Sequence, residues 1–367
     1  MSRLSVHLSG TLGTFTLDVA FDASVRAVTA LFGASGSGKT TVLRCLAGLV
    51  RLPGSRLVVD GDVWQDETTF LPPHRRPVGY VFQEPSLFPH LTVRANLTYG
   101  TRRRAAAPGI GFDKVVDILG LGSMLERHPD RLSGGEAQRV AIGRAVLAHP
   151  RLLLMDEPLA SLDAPRKAEI LPLVERLRDE AGIPILYVSH AIEEVIRLAD
   201  TLVLLSEGRV AAVGGVEELM CRLDLHPVTG RHEAGAVISA RVVAHDAEFG
   251  LTALAFGPHI LRVARLDLEE GRSLRVRIRA RDVTIAMERP VRTSVLNVFP
   301  GRVARIEDSQ APQVDVLLDI GAPLIARITR RSLVDLDLKE GMAVHALVKA
   351  VAIDRHSLGR AGASRED

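Results

Sequence analysis

The run GASGSGKT, Gly33 to Thr40, constrains this chain more than any other stretch. It fits the phosphate-loop pattern G-x-x-x-x-G-K-[ST]. The apolar run Val28–Phe32 precedes it and a helix-compatible TTVLRCLAGL follows. Strand, glycine loop and helix in that order wrap backbone N–H groups and a helix N-terminus around an anion. Gly33, Ala34, Ser35, Gly36, Ser37, Gly38, Lys39, Thr40 and Thr41 are therefore the candidate nucleotide-binding residues. Lys39 is expected between the β- and γ-phosphates of ATP, Thr40 on Mg²⁺, and Thr41 toward the α-phosphate.

A second motif supplies the chemistry. LLLMDEP is an apolar strand that ends in two acids and a proline. Asp156 at the strand end is expected to hold the Mg²⁺ shell. Glu157 is the candidate to polarise the attacking water. His190 follows the apolar run ILYVS, at a strand end where α/β sheets place ligands, and is assigned to γ-phosphate contact. Gln83, in YVFQEP, ends another strand and is expected to sense Mg²⁺ or the attacking water. Cys45, on the helix after the phosphate loop, reads as a small core residue.

The surrounding pattern fits these motifs. Over about the first 215 residues, buried strand-like runs (Ala27–Phe32, Val78–Phe82, Leu152–Met155, Ile185–Val188, Leu202–Leu205) are interspersed with amphipathic stretches such as Ala168–Glu180. That predicts a largely parallel, helix-covered sheet. Around Leu223–Gly235 the chain turns polar and reads as a linker. Beyond it the period changes to two. Leu274, Val276, Ile278 and Ala280 alternate with Arg275, Arg277, Arg279 and Arg281, a face expected to be solvated because no aromatics interleave it as RNA binding would need. LDLEEG ending at Gly271 and LDLKEG ending at Gly341 mark an internal repeat, in which Arg279 matches Lys349.

Composition bounds the class. At 367 residues the chain is long enough for two or three domains. A formal net charge of +2 gives no global attraction to nucleic acid. The two cysteines, Cys45 and Cys221, form no disulfide or zinc pattern, so a reducing compartment is expected. No apolar run approaches the roughly 20 residues of a membrane span, and MSRLSVHLSG lacks the apolar core of a signal peptide.

LSGGEAQR, Leu132 to Arg139, completes a set. With GASGSGKT, Gln83, LLLMDEP, SLD (Ser161–Asp163) and His190, it resembles the ABC transporter ATPases in order and approximate spacing. The resemblance implies an α/β fold: a P-loop NTPase, ABC-type nucleotide-binding domain with a helical subdomain. It also implies a homodimer, because in the family LSGGEAQR caps the ATP held by the partner's phosphate loop. Ser133, Gly134, Gly135 and Glu136 are then partner-ATP contacts, with Asp163 at the dimer seam. An aromatic that stacks on adenine in the family has its aligned position near Leu12. Phe15, the nearest aromatic, is a candidate for that contact and equally for the core.

RRPVGYVFQEPSLFPHLTVRANLTYG, EPLASLDAPRKAEILP and TSVLNVFPGRV with LVKAVAI resemble the molybdate importer ATPases. That implies two permease subunits in the inner membrane, a periplasmic or extracellular molybdate-binding protein acting indirectly, and a peripheral place on the cytoplasmic face. Phe88, Pro89 and Leu91 would lie either at the permease interface or inside the helical subdomain. Importers of sulfate, a metal ion, a sugar or a polyamine share the motor and remain the alternative cargo; a non-transport soluble ABC ATPase is the further alternative.

The C-terminal part resembles a small all-β, OB-like Mop domain, with Ser294, Asn297 and Lys349 matching its oxyanion positions. Leu296 stands where the family often has Arg, and Val351 where it often has Ser or Thr; these departures should weaken oxyanion binding, and leave the domain either a regulatory relic or one that uses Arg292 instead. The expected organisation is an ATPase domain over 1–222, a linker over 223–236, a first β unit over 237–290, a Mop-like domain over 291–355 and a tail over 356–367.

Overall fold

The computed structural model describes residues 3–24, 27–101, 109–226, 234–307, 311–353 and 358–360. The chain forms two compact units, residues 1–195 with 199–213, and residues 196–198 with 214–367.

The first unit is built on a ten-stranded sheet. Its order is Asp62–Gln65, Arg56–Val59, Arg3–Leu12, Phe15–Ser24, Arg209–Gly215, Thr201–Ser206, Val28–Phe32, Ile185–Val188, Leu152–Asp156 and Val78–Val81. The run from Thr201–Ser206 to Val78–Val81 is parallel. VTALF, LLLMD and ILYV are buried along their whole length, the pattern of a sheet covered on both faces. Register pairs Leu31 with Val188, Asp156 with Val188, and Val81 with Met155. The loops beginning at Gly33, Phe82, Glu157 and Ser189 therefore leave the same edge, the carboxyl ends of the strands.

Helices Val93–Thr98, Phe112–Ile118 and Gly134–Leu147 make the helical part. Gly143 lets them close: a Cβ there would meet Leu97 at 2.8 Å and Leu119 at 3.1 Å. The fully buried Asn96 holds the turn before them, accepting from the Phe88 N–H and donating to the carbonyls of Phe88, Leu91 and Thr92. Phe88 and Leu91 are half-buried and Pro89 is exposed. The Phe88 ring lies 4.3 Å from that of Tyr99, under the Arg144 guanidinium.

The second unit holds two five-stranded sheets. One runs His259–Ala264, Leu251–Phe256, Gly235–Asp246, Ser273–Arg279, Leu358–Arg360. The other runs Val283–Ala286, Ala343–Val348, Asn297–Ile306, Gln313–Asp319, Pro323–Thr329. The repeat is visible in the backbone: Gly271 and Gly341 take φ +84° and +86°, and strands 273–279 and 343–348 each run into a 3-10 turn, 280–282 and 350–352. After that turn each chain segment leaves its own sheet and pairs in the other. Val283–Ala286 lies against Ala343–Val348, and Leu358–Arg360 against Ser273–Arg279. The units expected at 237–290 and 291–355 thus share edge strands, and the expected tail contributes one of them; residues 356–357 and 361–367 of that tail lie outside the described residues.

The structure departs from three other expectations. Helix Val216–Met220, placed with the ATPase by the sequence, belongs to the second unit: Glu217 accepts from Ser239 at 2.8 Å and pairs with Arg275 at 3.1 Å. Of the expected linker, residues 227–233 lie outside the described residues, and Gly235–Arg241 is already strand. The arginine face is not solvated along its length. Arg275 and Arg277 are 6% and 2% exposed, Arg279 is half-buried, and of these four only Arg281 is exposed. An alternating strand reports two faces but not whether the second is covered.

Candidate active site

Gly33 begins the phosphate loop with no room for a side chain: a Cβ would run into the Leu205 carbonyl oxygen. Gly36 and Gly38 take φ +81° and +101°, the left-handed region that favours glycine. Ser37 N–H closes the turn on the Ala34 carbonyl at 3.1 Å, and the helix Lys39–Leu46 starts at once. Its far end is closed by Arg76, which donates to the carbonyls of Cys45 and Leu46. Burial pushes the Cys45 thiol up to about 11, so it is an unreactive core residue.

Lys39 Nζ donates to the Gly33 and Ala34 carbonyls at 2.9 Å each, leaving one of its three hydrogens for a phosphate. Burial lowers its pKa, against the opposing pull of the Glu157 and Asp156 carboxylates. Leu12, Phe15, Ser35, Gly36, Gly38, Lys39, Thr40, Thr41 and Glu157 line one cavity of about 490 Å³. The Phe15 ring packs on Gly38, where a Cβ would meet it at 3.1 Å, and also lines the cavity.

Thr40 Oγ1 donates to Asp156 Oδ1 at 2.9 Å. Two hard oxygens at the loop mouth fit Mg²⁺, which takes one or two protein ligands and completes its shell with phosphates and water. The other Asp156 oxygen accepts from Tyr80 O–H at 2.9 Å. Sequence reading missed Tyr80; its one signal is a polar tip on a strand beside LLLMD.

Glu157 sits past the strand end at φ +47°, a left-handed residue without glycine's freedom, at a cost of order 1–3 kcal/mol. Its N–H donates to Val188 O at 3.0 Å, which ties it to the strand leading to His190. His190 Nδ1 lies 3.0 Å from Glu157 Oε2, and the His190 side chain is 55% exposed. Gln83 is exposed, two residues beyond its strand, and does not line the cavity.

Ser133, Gly134, Gly135, Glu136 and Asp163 do not line it either. Ser133 caps helix Gly134–Leu147, accepting from Glu136 N–H at 3.3 Å, while the Glu136 carboxylate accepts from Ser133 N–H at 2.7 Å. That hydrogen bond holds the Glu136 pKa below its usual range. Glu136 thus closes a capping box on its own helix, a role S-x-x-E spacing could have signalled. Asp163 caps helix Ala164–Ala181 and is largely exposed.

In the second unit Asn297 is fully buried. Its Nδ2 donates to the Arg262 and Val348 carbonyls at 2.9 and 3.1 Å, and its Oδ1 accepts from Arg262 N–H at 2.7 Å. Both side-chain amide hydrogens are spent on strand backbones, so the Asn297 side chain has no donor left for an oxyanion. Ser294 and Lys349 are exposed. A cavity of about 520 Å³ nearby is lined by His259, Arg262, Arg289, Arg292 and Thr293 among others, but by neither Ser294 nor Lys349.

A phosphate loop, an Asp–Glu strand end, a histidine on the glutamate and a capped LSGG helix, carried on this sheet, define an ABC-type ATPase. The ABC transporter family model matches residues 17–160 and the TOBE domain model residues 293–354. The chain is 51% identical over 341 residues to the molybdenum import ATP-binding protein ModC of Methylococcus capsulatus, covering 92% of this chain and 96% of that one. It is 52% identical over 357 residues to ModC 1 of Azotobacter vinelandii, covering 96% and 98%. The ModC of Mesorhizobium japonicum is 50% identical over 358 residues, covering 96% of each. The chain belongs to the family of the molybdenum import ATP-binding proteins: it is an ATP-hydrolysing ABC importer subunit with a small all-β C-terminal domain.

Proposed function

We propose that this chain drives uptake of molybdate, and of the like-shaped tungstate, as one of two identical ATPase subunits. The pair works on two permease subunits from the cytoplasmic face of the inner membrane, with a separate molybdate-binding protein delivering the cargo. The carrying observation is identity of 50% or more to molybdenum import ATP-binding proteins along 92–96% of this chain, C-terminal unit included. Among the described residues no helix is long and apolar enough to cross a membrane, so passage through the bilayer falls to the permease.

ATP lies along the cavity, its phosphates on the loop N–H groups and Lys39, its base toward Phe15 and Leu12. Thr40 and Asp156, with Gln83 from the neighbouring strand end, would hold Mg²⁺, which would supply positive charge against the β- and γ-phosphates. Glu157 accepts a proton from the attacking water as its oxygen bonds to the γ-phosphorus and the bond to ADP breaks. His190, whose Nδ1 lies 3.0 Å from Glu157 Oε2, presents its other ring nitrogen to a γ-phosphate oxygen. The positive end of the partner's Ser133-capped helix closes over the same phosphate, with Ser133, Gly134 and Gly135 in contact and Glu136 holding the cap. Hydrolysis removes that bridge and reopens the pair, and the Phe88–Leu91 turn passes the motion to the permease. Within the C-terminal unit, oxyanion contact falls to Arg292, Ser294 and Lys349, since the Asn297 side chain has no hydrogen to spare.

The test is ATP-dependent uptake by vesicles holding the subunit and its permease. Molybdate should be accumulated, tungstate should compete, and ATPase activity should respond to molybdate. Uptake of sulfate, a metal ion, a sugar or a polyamine with no response to molybdate would overturn the cargo and leave the motor intact.

A further inference from the structure

In the first unit, the mechanism above leaves one deeply buried carboxylate unused among the described residues. Glu194 is 3% exposed and lies four residues after His190. Its Oε2 accepts from the Tyr187 hydroxyl and from the Ser189 hydroxyl, each at 2.8 Å. Its Oε1 accepts from Lys167 Nζ at 3.0 Å. Burial, with the Glu194 and Glu157 carboxylates beside it, pushes the Tyr187 phenol well up, so it stays a donor.

These partners belong to different parts of the machine. Ser189 immediately precedes His190, and its hydroxyl also accepts from Ala191 N–H at 3.0 Å, so the backbone on both sides of the histidine is held through one oxygen. Lys167 stands in the first turn of helix Ala164–Ala181, where its N–H donates to the carbonyl of the capping Asp163 at 2.9 Å. A loose helix start needs no buried carboxylate, and an ion pair with one member almost fully buried costs desolvation that only good geometry repays. Here each Glu194 oxygen has a donor within 3.0 Å.

We infer that Glu194 is a positioning residue for hydrolysis, joining the His190 segment through Ser189 to the Asp163-capped helix through Lys167. This rests on the dimer reading above, in which Asp163 meets the partner subunit. Movement of the seam is then transmitted to the histidine over the chain's own γ-phosphate, so the two ATP sites fire in concert rather than independently.

Lys167 is the place to cut, because its side chain is 23% exposed and its loss leaves the Tyr187 and Ser189 bonds in place. In the full-length subunit assembled with its permease, Lys167→Met is expected to lower kcat about tenfold with KM for ATP within about twofold, a loss confined to the transition state. Its Hill coefficient for ATP should fall toward one, and Lys167→Arg should recover most of both. Wild-type kcat and Hill coefficient in Lys167→Met, or equal impairment in Lys167→Arg, would overturn the inference. If Lys167→Met is too unstable to assay, Ser189→Ala is read by kcat and KM in the same way, and wild-type kcat there overturns it too. Failure of the dimer reading shows separately, as a wild-type Hill coefficient of one in the same assay.

Discussion

His190 Nδ1 stands 3.0 Å from Glu157 Oε2, and Glu157 reaches that position from a left-handed backbone fixed by its N–H bond to Val188. The two side chains act as a unit, so their losses should not add. Glu157→Gln should lower kcat by about a hundredfold or more, His190→Ala by a similar factor, and the double variant by little beyond either alone. Glu157→Gln should also hold an ATP-bound dimer in size-exclusion light scattering. A monomer at saturating ATP would count against the paired site.

Tyr80 orients the Asp156 oxygen that Thr40 does not engage. Tyr80→Phe removes one hydrogen bond to a charged group, about 1.5–3 kcal/mol in general. The expected result is a several-fold rise in the Mg²⁺ concentration giving half-maximal activity, with ATP binding in the absence of Mg²⁺ unchanged. An unaltered Mg²⁺ titration would remove Tyr80 from the site.

Gly33→Ala forces a methyl group onto the Leu205 carbonyl and within 2.8 Å of Ser37 Oγ. Overpacking against backbone generally costs about 1–3 kcal/mol. A lower Tm together with weakened binding of a fluorescent ATP analogue is expected. Gly36→Ala, where a Cβ meets nothing within 4 Å but φ is +81°, should be the milder of the two.

In the second unit, Asp315 accepts from Arg327 Nε and Nη2 at 2.6 Å and lies 2.9 Å from His226 Nδ1. Burial raises its carboxyl, but the bonds to His226 and Arg327 outweigh burial and hold it below the usual carboxylate value. A folded pKa below the unfolded one contributes stability that is present above the unfolded value, about 3.9, and lost as pH falls through the folded one. The second unit should therefore weaken as pH drops below about 4. Asp315→Asn should cost about 3 kcal/mol at neutral pH and flatten that acid limb. Denaturation curves at several pH values check both, and an acid limb of unchanged slope in Asp315→Asn would assign it elsewhere.

The nucleotide site was legible because its chemistry is local. Gly33 to Thr41 and the Asp156–Glu157 pair sit on runs that each state their own strand or helix, and the cavity gathers most of them. Partners across strands were not legible. Tyr80, Glu194 and the saturation of Asn297 depend on which strand lies beside which, and side-chain type carries no such information. The arginine face failed for a related reason: period two separates faces, while burial of Arg275 and Arg277 depends on what packs against them, as Glu217 does for Arg275. The capping role of Glu136 was not read because a capping residue and an exposed ligand share one sequence signature.

The exchange of edge strands in the second unit carries a genetic consequence. A stop codon just ahead of Leu358 would delete the strand that borders Ser273–Arg279, more than seventy residues earlier in the chain, while sparing the sheet nearest the cut. Neither repeat can be excised as a self-contained module, because each is finished by a segment encoded after the other's core has begun. Such a pair is inherited, and lost, as one piece.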